Sequence, residues 1–296
     1  GTDANTQRMG GIVVWGSVLL TTFAFMGITV IYENLESLNF LSREQTLLPL
    51  FALFIGAIVG FIDDLLVVNG TGKHFAGGLP LTQRLFTVIA TALFIGWWFY
   101  EKLDVSSVSF FWSNTIELGI WFIPFFVFVA TCVYMSSVID GIDGLSGGVF
   151  ATIFAAYTGV ALLQAQFDIA ALCAVIVGAI LAFLWFNIPP ARFYMTETGI
   201  MALTMSLTVV AFMTDTLAEG IGVSVLPIIA LLLVVTVVAN VMQILSKKFL
   251  GKKVFLVAPL HHHFEALGWP SYKVTMRYWV ISIICACVGV ILASLA

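Results

Sequence analysis

Charged side chains are scarce in this chain. They make up 9% of its 296 residues, where soluble globular proteins carry about a quarter. The scarcity excludes a water-soluble fold, because a core of this size needs far more polar cover. The formal net charge, −4, is too small to imply a polyionic partner, so nucleic acid is not expected. Cysteine is rare as well. Cys132, Cys173, Cys285 and Cys287 all fall in apolar runs and show no CxxC or Cys/His zinc spacing. No signal-peptide pattern opens the chain. No P-loop or GxGxxG fingerprint follows a strand pattern, and no Ser-His-Asp order stands out. Barrel-type alternation is missing, and the apolar runs are too long for barrel strands.

What remains is apolar length. The sequence is 61% hydrophobic with a mean hydropathy of +1.09, which describes a polytopic membrane protein. A spanning helix needs about 20 mostly apolar residues, and with no water to satisfy the backbone, helices are the remaining option. The expected fold is an all-α membrane bundle, residues 1–296 forming one transmembrane domain. Nine spans are expected: Gly10–Tyr32, Leu47–Ile62, Leu85–Tyr100, Leu118–Tyr134, Leu145–Leu163, Ile169–Phe186, Thr198–Met213, Ile221–Leu245 and Tyr278–Leu295. Pro124 and Pro227 fall within spans, where kinks are tolerated.

Nine spans alternate the connecting segments between two sides. One side collects Arg8, Lys73, Arg84, Arg192, Lys247, Lys248, Lys252, Lys253, Lys273 and Arg277. The other has Arg43 and Lys102. The positive-inside rule makes the first side cytoplasmic. His74, His261, His262 and His263 share that side with Asp63, Asp64, Asp140, Asp143 and Glu197. Acids of the opposite loops, such as Glu36 and Asp215, read as solvating surface groups.

Four stretches carry the chemistry. In "GFIDDLL" (Gly60–Leu66), Asp63 and Asp64 follow directly on a span. Adjacent carboxylates repel and recruit cations, and charge at a membrane boundary is usually functional, although a solvated helix end reads the same way. In "SSVIDGIDGLSGG" (Ser136–Gly148), Asp140 and Asp143 share a face if a helix starts there. The glycines admit close backbone approach by a ligand, and one aspartate also suits an N-cap. "FNIPPARFYMTETG" (Phe186–Gly199) offers Asn187, Arg192 and Glu197. Glu197 is a hard oxygen ligand for a divalent cation or a capping acid. "APLHHHFEALGW" (Ala258–Trp269) is internal, and its three adjacent histidines suit phosphate or substrate hydrogen bonding better than zinc, which wants spaced ligands. A polar loop is the plainer reading. "SKKFLGKK" upstream suits anionic head groups or topology alone. Carboxylates, histidines and bases on one side read as metal-assisted phosphoryl chemistry.

"GFIDD", "DGIDGL", "FLWFNIPPARFYM" and "APLHHHFEALGWPSYKVTMRYWVIS", in this order, resemble the polyprenyl-phosphate N-acetylhexosamine-1-phosphate transferases. The histidine block points to their phospho-N-acetylmuramoyl-pentapeptide transferase branch. The resemblance runs from Thr6 to Trp279. It implies transfer of phospho-MurNAc-pentapeptide from its UDP carrier to undecaprenyl phosphate, giving lipid I and UMP, with Mg²⁺ required. It also implies a bacterial plasma-membrane location amid membrane lipid, ten spans with the tenth before Gly1, and room for a homodimer. By motif, Asp63 would deprotonate or position the lipid phosphate with help from Asp64. Asp140 would be the third essential acid. Asp143 and Asn187 would line the uridine pocket, His261, His262 and His263 would contact the nucleotide phosphates or sugar, and Glu197 would hold metal. Four places depart from the family pattern: "TQRMGG" for "TPTMGG", Val67 for a lysine, Ser136 and Ser137 for asparagines, and "YMTE" for "FMGD". They keep open an inactive homologue acting as a scaffold or lipid or nucleotide-sugar binder. A transporter fits less well, since the acids sit at one face and no inverted repeat is seen.

Overall fold

The computed structural model describes residues 7–41, 45–70, 78–111 and 114–296. Thr6, Arg43, Lys73 and His74 lie outside the described residues. Among the described residues the helices are α1 Gly11–Ile31, α2 Leu47–Val68, α3 Leu81–Lys102, α4 Phe122–Met135, α5 Leu145–Leu163, α6 Phe167–Asn187, α7 Thr196–Met213, α8 Gly222–Ile229, α9 Leu231–Leu250, α10 Leu260–Ala266 and α11 Ser271–Ser294. The all-α expectation holds. Among the described residues the strand pairing is an antiparallel hairpin between α3 and α4, β1 Ser107–Phe110 with β2 Asn114–Glu117, in register Ser107 to Glu117, and one isolated bridge, Gln7 with Phe193.

Eight of the described helices, α4 counted with its flanking 3-10 turns as Gly119–Ile139, are long and apolar enough to cross a membrane, and they display large apolar side chains outward, Trp185, Val30 and Leu20 among them. The chain is a multi-pass membrane protein. The sequence leads one to expect nine spans. The difference is α3, which has the length, 22 residues, but carries Gln83, Arg84, Glu101 and Lys102 at its ends and two tryptophans and a tyrosine in its second half. The expected span Ile221–Leu245 is two helices. Pro227 cannot donate its backbone N–H, and Ala230 leaves helical geometry (φ −99°, ψ 30°) between α8 and α9. Pro124 causes no break, because it sits in the first turn of α4, where an N–H has no partner anyway.

The centre of the bundle is α7. Every residue from Thr198 to Met213 is buried, as expected of a helix apolar around its whole circumference. Two of its threonines close on the helix itself: the hydroxyls of Thr204 and Thr208 donate to carbonyls one turn earlier. Against α7 lies α2, and the crossing is a small-residue contact of the kind membrane helices use in place of hydrophobic attraction. A Cβ at Gly56 would lie 2.5 Å from the Met201 carbonyl oxygen, and one at Gly60 would lie 2.2 Å from that of Glu197. An aromatic cluster ties in α3 and α4: Phe99, Phe122 and Phe126 surround Phe212, with Phe126 and Phe212 centroids 4.6 Å apart.

Glu36 is exposed, as its loop position suggests. Asp215 is not the solvating acid its position suggests. It is 1% exposed and knits the end of α7 to β1 and α8. Its Oδ1 accepts the Ser109 N–H at 2.7 Å, and its Oδ2 accepts the Val223 N–H at 2.9 Å. Burial lifts its pKa to about 6 against these bonds. A buried carboxylate persists where backbone donors replace water, and sequence position alone does not reveal those donors.

Candidate active site

At the other end of the α2–α7 crossing, α2 delivers Asp63 and Asp64. Asp64 is fully buried. Its Oδ2 accepts the Thr196 hydroxyl at 2.6 Å and the Thr198 N–H at 3.0 Å. It therefore caps the first turn of α7 from a neighbouring helix, where the helix dipole favours an anion. Its Oδ1 has no hydrogen bond and faces the Arg8 guanidinium at 3.7 Å. Asp63, 3% exposed, accepts the Leu79 N–H at 2.6 Å.

Asp140 comes from the opposite direction. A short 3-10 turn, Ser136–Ile139, continues α4 and presents it between α5 and α7. Its Oδ1 accepts the Ser146 hydroxyl at 2.6 Å and its Oδ2 the Thr196 N–H at 2.9 Å. Burial raises the Asp140 pKa above the ordinary carboxylate value, and the two donors oppose the rise. Thr196 thus links Asp64 and Asp140 directly. Beside them Glu197 pairs with Arg84 and lies 3.4 Å from the Tyr134 hydroxyl.

Asp143 and Asn187 hold the loops around this centre. Asp143 Oδ2 accepts the Ala191 N–H at 3.0 Å, and Thr275 donates to the Asp143 carbonyl at 3.0 Å. Asn187, 2% exposed, accepts the Gly144 N–H and donates to the Phe193 carbonyl, both at 2.9 Å. The Trp279 indole donates to the Gly144 carbonyl at 3.0 Å, which brings α11 onto the same loop.

The three histidines lie on the short helix α10 rather than in a loop, and they face three ways. His261 is fully buried with neither ring nitrogen hydrogen-bonded among the described residues. Burial, then neighbouring His262, lowers its pKa from 6.5 to about 4, so the ring is neutral at pH 7. His262 Nδ1 lies 2.6 Å from Glu265 Oε2. Burial would raise Glu265, but Ser271 and His262 outweigh it and hold the carboxyl below its ordinary range. His263 Nδ1 accepts the Leu256 N–H at 3.2 Å and turns away from the other two. His261 and His262 press on the aspartate loop: a Cβ at Gly141 would lie 2.5 Å from His261 Nε2 and 2.8 Å from His262 Nε2. Next to α10, Phe264 stacks on Trp269 (4.9 Å, 18°), and the Arg277 guanidinium lies 4.0 Å from the Trp269 ring centre.

The fold therefore gathers Asp63, Asp64, Asp140 and Glu197 at one end of the bundle. It sets His261 and His262 against the loop that carries Asp140. Sequence reasoning does not single out Arg8, Arg84, Tyr134, Ser146 or Thr196. A charge opening an apolar span is a usable signal for Arg84. Ser146 acts locally, six residues from Asp140, whereas the roles of Arg8, Tyr134 and Thr196 depend on approach between separate elements.

Among the described residues, no three His, Cys, Asp or Glu side chains stand as a preformed metal cage. Mg²⁺ is commonly held by one or two carboxylates plus substrate phosphates and water, and the donor set fits that mode. Asp64 Oδ1 is a buried hard oxygen without a hydrogen bond, and four carboxylates outnumber the two guanidinium groups beside them. Glu197 Oε1 is taken by Arg84, while its Oε2 has only the long contact, 3.4 Å, to the Tyr134 hydroxyl among the described residues.

A family model described as Glycosyl transferase family 4 matches residues 46–216. The chain is 34% identical over 298 residues to the phospho-N-acetylmuramoyl-pentapeptide-transferase of Bacillus mycoides (strain KBAB4), covering 97% of this chain and 83% of that one. It is 32% identical over 302 residues to that of Desulfitobacterium hafniense (97% and 84%). It is 30% identical over 288 residues to that of Geobacillus sp. (96% and 83%). The matched stretch takes in α2 to α7 and with them every carboxylate of the gathered site, and on these matches the chain belongs to glycosyl transferase family 4 and, within it, to the phospho-N-acetylmuramoyl-pentapeptide-transferases.

Proposed function

We propose that this chain moves phospho-MurNAc-pentapeptide from its UDP carrier to undecaprenyl phosphate, making lipid I and UMP for peptidoglycan synthesis. The observation that carries the reading is the direct link from Asp64 through Thr196 to Asp140, with Asp63 beside it. An oxygen of the lipid phosphate attacks the sugar-bearing phosphorus. The new P–O bond joins sugar phosphate to lipid phosphate, and the bond to the nucleotide phosphate breaks, releasing UMP. Mg²⁺, when bound, would neutralise charge on the phosphates, held by Asp64 and Glu197. Asp63 positions or deprotonates the lipid phosphate. Asp140 is the third acid, and burial raises its pKa above the ordinary carboxylate value. Arg8 and Arg84 offset phosphate charge. His261 presents a neutral imidazole, and His262 a ring held by Glu265, to the nucleotide phosphates or sugar across Gly141, and His263 braces α10. Asn187 and Asp143 shape the uridine side by holding its loops. In this reading residues 1–296 act as one transferase domain in the bacterial plasma membrane. The ten basic residues of one side support a cytoplasmic site. A homodimer belongs to the reading on family resemblance alone.

The Glu197–Arg84 pair favours a second reading, in which a locked carboxylate leaves a non-catalytic binder. One assay separates the two: UMP release by the purified full chain from UDP-MurNAc-pentapeptide, with undecaprenyl phosphate and Mg²⁺. Turnover should vanish in EDTA and return with Mg²⁺, and Asp63→Asn should lower it by about 10²–10⁴. No UMP from the wild type would leave the binder.

A further inference from the structure

Thr196 is strained and shared. Its φ is +57°, the left-handed region that a β-branched residue enters only as an outlier. Such a conformation persists where the surroundings over-determine it, and it clusters at functional sites. A threonine at the start of a helix ordinarily caps it, bonding an N–H two or three residues on. Here no side chain caps α7 that way, because the Thr198 N–H goes to Asp64. The Thr196 hydroxyl has one proton and two acceptors in reach, Asp64 Oδ2 at 2.6 Å and the Met195 carbonyl at 2.7 Å. The ionised oxygen makes the stronger bond. The hydroxyl oxygen in turn accepts the Met9 N–H at 3.2 Å. The left-handed turn also points the Thr196 N–H at Asp140 Oδ2, 2.9 Å away.

We propose that Thr196 is a positioning residue that sets Asp64 and Asp140 against each other, its hydroxyl holding the first and its N–H the second. This deepens the transferase reading and rests on it. The strain marks a place where the backbone is bent to serve two carboxylates rather than its own helix.

The test compares Thr196→Ser, Thr196→Ala and Thr196→Gly. The hydroxyl survives only in the serine variant, and backbone strain is relieved only in the glycine variant. Losing a hydrogen bond to a charged group should lower kcat about 10- to 100-fold in the alanine and glycine variants, with KM for both substrates near wild type. Serine should restore kcat to within about threefold. Thr196→Gly should melt no lower than wild type, so stability and activity part company. Wild-type kcat in Thr196→Gly, or a serine variant as slow as the glycine one, would overturn the inference. If the wild type releases no UMP, the transferase reading fails separately, and the contact is then judged from melting temperatures alone. The Thr196→Gly change should raise Tm more in an Asp64→Asn background, where no carboxylate loses its donor. Additive shifts would refute the contact.

Discussion

Gly60→Ala tests whether the α2–α7 crossing places the carboxylates. The added methyl would meet backbone, 2.2 Å from the Glu197 carbonyl oxygen, 2.5 Å from its carbon and 2.6 Å from Thr198 Cα. No side-chain rotation relieves that contact, so the helices must part by about 1 Å to reach ordinary van der Waals distance. Asp64 stands one helical turn beyond Gly60, and its bonds to Thr196 and Thr198 are already 2.6 and 3.0 Å long. Another ångström takes the second beyond hydrogen-bond range. Overpacking of this kind costs about 1–3 kcal/mol of stability, and an ångström of misplacement costs about 10²-fold in rate. UMP release should therefore show a kcat down about a hundredfold, alongside a lowered Tm. Gly16→Ala is the control, since a Cβ there meets nothing within 4 Å. It should leave kcat unchanged and raise helix stability by about 0.5–1 kcal/mol. A Gly60→Ala enzyme with wild-type kcat and Tm would show that the crossing does not set the site.

Two further outcomes follow from buried titratable groups. His261 is held neutral, its pKa lowered from 6.5 to about 4, so its contribution is fully present above pH 6.5 and is lost as pH falls through 4. At about 1.4 kcal/mol per pH unit this amounts to about 3 kcal/mol. The wild-type Tm should fall more steeply between pH 6.5 and 4 than that of His261→Gln, and parallel profiles would contradict the burial argument. Asp215→Asn turns an N–H donor toward either the Ser109 or the Val223 N–H. It should cost about 1–3 kcal/mol in thermal unfolding while leaving kcat near wild type, and a large kcat loss would mean that the two ends of the bundle are coupled.

Much of the site is legible because its residues break an apolar pattern. Asp63, Asp64 and Asp140 stand out wherever charge is rare, and the lysine-rich side groups them from charge and span order alone. Asp215 breaks the pattern too, yet its role is not legible. Its donors, Ser109 and Val223, come from a hairpin and a helix start with no strong sequence signal. Thr196 shows only an indirect signal: it stands where the family pattern has the glycine of "FMGD", a residue that adopts left-handed geometry freely, while its role as a shared donor is set by tertiary contacts. Arg84 reads as a loop charge, whereas α3 starts earlier than its apolar run and brings the guanidinium to Glu197. The break at Ala230 is also hidden, because apolarity continues through it.

The contacts that complete the site join parts of the chain made at different times. Thr196 follows Asp64 by 132 residues, and Glu197 follows Arg84 by 113. At about 5–20 residues per second, Asp64 waits roughly 7–26 s for its donor during synthesis. The glycine face of α2 waits too, since Glu197 and Met201 supply the backbone it packs on. Arg8, made earlier, already faces Asp64, but a carboxylate without its backbone donors is costly in an apolar interior, which favours keeping this end of α2 in water through the interval. A nascent chain stalled before Thr196 therefore carries two hydrated acids at the tip of an otherwise greasy helix.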